Sequence, residues 1–153
     1  MTDTATSKAD IRNNALGMLS RREHSVRELH NKLKLRGYPE ADIAEVLSAL
    51  QAQGLQSDSR YTEMYVHNRV GKGYGPLRIM QELTQRGIGE ALAQEYLQHD
   101  SLDWRQLIKA VRCKKFGNSE VKEYKEQSRQ SRFLQHRGFT GEQIRDCFRD
   151  AKS

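Results

Sequence analysis

The sequence predicts an all-α fold: an elongated, right- or left-curved array of three tandem three-helix (helix-turn-helix-like) repeats. Three observations carry this expectation. First, the phrase Leu-x-x-Arg-Gly plus an apolar residue occurs at 33–38, 83–88 and 134–139, ending on Gly37, Gly87 and Gly138 before the apolar position. Repetition at a near-fixed period is the mark of a repeat architecture. Second, apolar residues recur at fixed distances past each glycine: Ile43, Ala93 and Ile144, then Val46 with Leu47, Tyr96 with Leu97, and Cys147 with Phe148. Third, β-branched runs are scarce and only two prolines occur, so nothing in the pattern supports a sheet. A hydrophobic content of 36% is low for one thick-cored globule and suits small units packed mainly on their neighbours.

Taken in order, residues 1–9 are small, polar and aperiodic, and are expected to form a disordered tail. Repeat 1 covers 10–54. Its first helix starts near Asp10 with Ile11, Ala15, Leu16 and Leu19 on one face. Ser25 and Glu28 make a capping-box pattern that opens a second helix with Val26, Leu29 and Leu33 inward. Pro39 opens a third, which buries Ile43, Val46, Leu47 and Leu50. Repeat 2 covers 57–99 and begins at a cap formed by Ser57 or Asp58, followed by Tyr61, Met64, Tyr65, Val66 and Val70. A glycine-rich hinge, Gly71, Gly73 and Gly75 alternating with Lys72 and Tyr74, then runs into Pro76, a residue suited to a first helical turn. Leu77, Met80, Leu83 and Ile88 supply the stripe of that helix, and Leu92, Ala93, Tyr96 and Leu97 that of the next.

Repeat 3 covers 101–153. Ser101 or Asp103 caps a helix carrying Leu102, Trp104, Leu107, Ile108 and Val111, which ends in the basic run Arg112, Cys113, Lys114, Lys115. The segment 118–132 is nearly free of apolar residues, with Glu120, Glu123 and Glu126 alternating with Lys122, Lys125 and Arg129. It is expected to be an exposed helix, each pair worth a few tenths of a kcal/mol. A last helix at 141–152 buries Ile144, Cys147 and Phe148.

The net charge of +6 is unevenly placed, because residues 101–153 hold thirteen basic and seven acidic side chains. A clustered positive field attracts polyanions and steers association. Candidate phosphate ligands are Arg21 and Arg22 in the first loop, Arg69 and Lys72 at the hinge, and Lys114, Lys115, Arg129, Arg132 and Arg137 towards the end. Arg86 is added as the equivalent of Arg137 in the repeated phrase. The arginine before each glycine has two readings, helix capping and partner contact. The hinge also has two: a bend that lets backbones approach a partner, and a loop with Tyr74 folded onto its own unit.

Several chemistries are excluded. The hinge lacks the Gly-x-x-x-x-Gly-Lys-Ser/Thr and Gly-x-Gly-x-x-Gly spacings, so no nucleotide cradle is expected. The five histidines are dispersed, and the carboxylates sit beside cations with no isolated pair for acid–base work. Cys113 and Cys147 have no ligands at zinc spacing and read as reduced core thiols. No enzyme, metal or cofactor is expected. With no bilayer-length apolar run and no signal-peptide core, the expectation is a cytoplasmic protein.

The three units, the run Gly-Lys-Gly-Tyr-Gly-Pro-Leu-Arg-Ile-Met-Gln-Glu-Leu at 71–83 and the Leu-x-x-Arg-Gly stops together resemble the RecX family of recombination regulators. The resemblance runs from about Ile11 to Phe148 and is most specific over 65–87. It implies a small bacterial protein, acting as a monomer, that binds the RecA–DNA filament in its helical groove. From there it would restrain ATP hydrolysis, strand exchange and the co-protease role in recombination, DNA repair and the SOS response. It also implies binding to single- and double-stranded DNA with weak sequence specificity. The alternative is a helix-turn-helix transcription regulator, which three-helix units also suit.

Overall fold

The structure, a computed structural model, describes residues 4–152, with side chains from Ser7 onward. Among the described residues there are nine helices and no strand: α1 (Thr4–Arg21), α2 (Val26–Leu35), α3 (Glu40–Ala52), α4 (Asp58–Gly71), α5 (Pro76–Gln85), α6 (Glu90–Leu97), α7 (Trp104–Phe116), α8 (Tyr124–Arg137) and α9 (Gly141–Ala151). The all-α expectation holds. α1 starts six residues before Asp10, so the expected disordered tail is corrected for residues 4–9. Ser7 is buried one turn before Ile11, which ties the helix start to the core. Residues 1–3 lie outside the described part.

The chain divides into two compact units, Met1–Met64 with Leu83–Leu92, and Tyr65–Glu82 with Ala93–Ser153. This is not the division into three repeats, because α4, α5 and α6 each pass from one unit to the other.

In the first unit, α1, α2 and α3 enclose a core of Ile11, Ala15, Met18, Leu29, Leu33, Ile43, Val46, Leu47 and Leu50, flanked by Leu16, Leu19, Val26 and Tyr38. Full burial of a leucine such as Leu29 or Leu33 contributes about 1.5–3 kcal/mol. The start of α2 is a junction. The Ser25 hydroxyl accepts from the Glu28 N–H at 3.1 Å, and the Glu28 carboxylate accepts from the Ser25 N–H at 3.1 Å, completing the expected capping box. The same hydroxyl donates to the Arg86 carbonyl at 2.8 Å. Asp58, expected as a cap for its own helix, instead accepts from the Val26 N–H at 2.9 Å, while Ser57 accepts from the Arg60 N–H at 3.1 Å. A carboxylate aimed at orphan amides of a helix start is stabilised by charge as well as by the hydrogen bond.

In the second unit, α7, α8 and α9 surround Ile108, Leu134, Phe139, Ile144, Cys147 and Phe148, with Trp104, Val111, Val121 and Phe133 against them. Trp104 stands edge-on to Phe139 at 6.4 Å and donates its indole N–H to the Leu97 carbonyl at 2.8 Å. Thr140 and Gln143 form a second capping box at the start of α9. Two expectations are corrected here. Cys147 is buried, and desolvation pushes its thiol up, but Cys113 is exposed rather than a core thiol. The helix expected over 118–132 begins only at Tyr124, and of its anticipated acid–base pairs the Glu126–Arg129 bridge forms. The loop before it is committed elsewhere: the Ser119 carbonyl accepts from Arg112. Arg112, which the sequence places in a basic cluster, is 4% exposed, donates to Gln130 at 2.8 Å and lies over the Phe148 ring at 5.2 Å. It is a core residue.

Of the stripe expected on α5, Leu83 and Ile88 are buried, but Leu77 is 58% exposed and Ile79 takes the inward place. Ile79 and Leu83 are four apart and share a face, whereas Leu77 points to the other side.

The Arg-Gly stops are used in the same way twice. In the first unit Arg86 presents its carbonyl to Ser25, and Gly87 lies so close that a Cβ there would stand 2.7 Å from the Arg27 Cβ. In the second unit the Gly75 N–H donates to the Arg137 carbonyl at 2.8 Å and the Leu77 N–H to the Gly138 carbonyl at 2.9 Å. A Cβ on Gly138 would meet the Arg78 Cβ at 2.4 Å, and one on Gly75 would meet the Gly138 carbonyl carbon at 2.5 Å. Each stop is docked on the first turn of a second helix, and glycine permits the approach. Gly37 ends its helix with the same left-handed backbone, φ 89°, but a Cβ there would meet nothing within 4 Å.

The contrast gives a direct test. Gly37→Ala carries only the left-handed penalty of about 1–2 kcal/mol. Gly138→Ala carries that penalty and a backbone clash, adding roughly 1–3 kcal/mol. Urea unfolding of the two variants should therefore show the larger loss for Gly138→Ala. Equal losses would mean that the docking contributes nothing beyond backbone strain.

Candidate nucleic-acid interface

The hinge closes onto its own unit. α4 continues through Gly71, so the bend falls at Gly73, whose φ is 88°. The N–H groups of Lys72, Gly73 and Tyr74 donate back to α4 carbonyls, and those of Gly75 and Leu77 donate to Arg137 and Gly138. No run of free amides is left to cradle a phosphate, which agrees with the missing motif spacing. Of the two readings of this loop, the folded one fits the structure: Tyr74 lies among three guanidinium groups of its own unit. Arg69 is 3.9 Å from the ring centroid, Arg78 4.4 Å and Arg137 5.0 Å.

A single carboxylate holds this group together. Glu82 accepts from Arg69 at 2.8 Å through both oxygens and from the Tyr65 hydroxyl at 3.0 Å, with Arg78 at 3.5 Å. Partial burial pushes the Glu82 carboxyl up, but the bonds from Arg69 and Tyr65 outweigh it and hold the group below its ordinary value. Three arginines against one glutamate leave local positive charge. Arg137 also donates to the Lys72 carbonyl at 3.2 Å, and Lys72 itself is exposed.

Arg137 links this cluster to a second one. Its guanidinium is 5.1 Å from the Phe133 ring, which stands edge-on to Phe116 at 5.3 Å. Lys115 lies 5.5 Å from Phe133 and Arg129 4.9 Å from Phe116. Cations over aromatic faces are held in place, and only those N–H groups not already given to Glu82, Glu126 or the Lys72 carbonyl stay available to phosphate oxygens. Arg129 is also paired with Glu126 at 2.7 Å; bonds from Arg129 and Gln130 hold that carboxyl down to about 2. Much of the remaining charge of the last third is spoken for, since Arg105 and Lys109 pair with Asp150, and Arg149 with Asp146. Lys114 and Arg132 are exposed with no such partner among the described residues.

The sequence-derived candidates thus separate. Arg69, Lys72, Lys115, Arg129 and Arg137 are brought together with Tyr74, Phe116 and Phe133, and Lys114 and Arg132 lie on the same two helices, α7 and α8. Arg21, Arg22 and Arg86 belong to the other unit. Arg21 is exposed, Arg22 is tied to Glu28 at 3.0 Å, and Arg86 is half-buried. Sequence reasoning missed Arg78 and the two phenylalanines. A signal existed: Arg129, Phe133 and Arg137 are spaced by four, as are Tyr74, Arg78 and Glu82, and residues at that spacing meet on a helix. Among the described residues no group of three potential metal ligands occurs, and no helix is long and apolar enough to cross a membrane.

Comparison with known proteins agrees with this architecture. Family models for the first, second and third three-helix domains of RecX match residues 12–50, 57–97 and 103–148. The chain belongs to the RecX family. A "Regulatory protein RecX" from Halorhodospira halophila is 41% identical over 145 residues, 95% of this chain and 90% of that one. Another, from Acidithiobacillus ferrooxidans, is 43% identical over 140 residues, 92% of this chain and 89% of the relative. The crystal structure of RecX from Lactobacillus salivarius superposes with a TM-score of 0.81 at 22% identity, covering 97% of this chain and 98% of that one. That likeness speaks to the fold alone.

The Glu82 network predicts a pH signature. A carboxylate whose folded value is depressed stabilises above its unfolded value, and the contribution is lost as pH falls. The stability difference between the wild type and Glu82→Gln should therefore be largest near neutral pH and shrink below about 4.5, the group's ordinary value. A difference unchanged between pH 7 and pH 3 in denaturant melts would contradict the assignment.

Proposed function

We propose that this chain regulates the RecA–DNA filament, binding it and restraining its ATP hydrolysis, strand exchange and co-protease activity without chemistry of its own. The observation that carries the reading is the match of all three RecX three-helix domains along the chain. The Arg–aromatic cluster of the second unit supports it, as a rigid basic face suited to phosphates in a nucleoprotein groove. The helix-turn-helix alternative is less well supported. The match of all three RecX domains along the chain favours the filament reading over it.

A ligand shifts a conformational equilibrium only by its differential affinity. The regulator should therefore bind the nucleotide-loaded filament more tightly than free RecA. The test is DNA-dependent ATP hydrolysis by RecA on single strands, titrated with this protein. Suppression far below one copy per RecA subunit supports capping or spreading disassembly, and suppression near one copy supports occupancy along the groove. No suppression, with DNA binding intact, overturns the reading.

Charge supplies a second prediction. Replacing Lys114, Lys115, Arg129 and Arg132 by alanine should flatten the salt dependence of DNA binding, by about 0.7–0.9 in the log–log slope for each phosphate no longer neutralised. An unchanged slope would place the DNA track elsewhere.

A further inference from the structure

The exposed side of α8 carries an aromatic ring whose faces are unoccupied. Tyr124, Lys125, Ser128, Arg129 and Arg132 line an open recess of about 560 Å³. Tyr124 is 84% exposed, whereas Tyr61, Phe139 and Phe148 are in the core and Tyr74, Phe116 and Phe133 carry cations on their faces. No hydrogen bond, ring contact or cation–π contact engages the Tyr124 side chain among the described residues. No carboxylate lines the recess, and of its three cations Arg129 is paired with the nearby Glu126, which leaves Lys125 and Arg132 to act on an occupant. An exposed aromatic among cations is the combination that single-stranded nucleic acid uses: the base stacks on the ring and the backbone follows the charge. Lys125 adjoins the ring and Arg132 lies two turns on, about 10 Å along the axis. A strand with its base on Tyr124 can therefore run its phosphates past both.

We propose that this recess is a single-strand binding site in which an unpaired base stacks on Tyr124 and its neighbouring phosphates are held by Lys125 and Arg132. The exposed ring selects the occupant over an acidic peptide, which would use the cations and leave the ring idle. A duplex has both faces of its inner bases already stacked, so the ring discriminates against it. The inference rests on the nucleic-acid reading of the second unit and adds the strand type and the residue that reads it.

The experiment compares wild type, Tyr124→Ala, Tyr124→Trp and the double variant Lys125→Gln/Arg132→Gln. The probes are a fluorescent oligothymidine and a duplex of equal length, each titrated over a range of salt. Loss of one stacked base is worth about 1–3 kcal/mol, so Tyr124→Ala should weaken oligothymidine binding roughly 5- to 150-fold, with duplex affinity and salt slope unchanged. Tyr124→Trp should restore binding, and the double variant should lower the slope for both probes. The inference is overturned if Tyr124→Ala binds oligothymidine as the wild type does, or if it loses both probes equally. It is equally overturned if the variant loses only its effect on RecA, since the ring would then be a protein contact. Because the probes contain no RecA, failure of the filament reading shows separately, in unaltered ATP hydrolysis by a protein that still binds oligothymidine through Tyr124.

Discussion

The contact between the Arg137–Gly138 backbone and the first turn of α5 sets the geometry of the second unit. Two backbone hydrogen bonds of 2.8 and 2.9 Å join segments more than sixty residues apart, at a separation that side chains would forbid. Backbone amides at a helix start are obligatory donors, and a buried one left unpaired is costly. Here they are satisfied by another repeat's helix stop rather than by a side-chain cap. The contact also delivers Arg137, already beside Phe133 through its spacing of four on α8, to Tyr74, so the union of the basic face is a by-product of how the repeats join. In the first unit Ser25 supplies a hydroxyl where Gly75 supplies its N–H, and the Arg86 carbonyl is the common acceptor type. The same stop, on Gly37, is left undocked.

Positive charge alone would not make an interface of the last third. Asp150 draws in Arg105 and Lys109, and Arg112 is sunk into the core. Exposed pairs of this kind contribute little to stability, but they remove cations from the field that a partner meets. What is left concentrates on the end of α7, the hinge and α8. Stacking of arginines on rings fixes their direction with little entropy left to lose on binding.

The repeats, their capping box at Ser25 and Glu28, and most core positions are legible in the sequence, because helical periodicity and glycine stops are local signals. Leu77 departs from its expected place because Pro76 fixes where α5 starts but not which face turns inward. The burial of Arg112 is not legible, since it depends on Gln130 eighteen residues later and on a loop carbonyl. The arginine of each stop stands out as a pattern, but no sequence pattern separates the docking of its carbonyl, made by Arg86 and Arg137, from the work of its guanidinium, which at Arg137 lies over Tyr74 and Phe133. The cation–ring cluster is partly legible through spacings of four along α8 and α5. Its union across Arg137 requires the fold.

Hydrogen exchange along the whole chain, with and without RecA filaments assembled on single strands, tests the account most directly. The account predicts slowed exchange at the end of α7 and through α8, saturating with filament and absent with free RecA. Protection confined to α1, α2 and α3, with α7 and α8 unchanged, would contradict it.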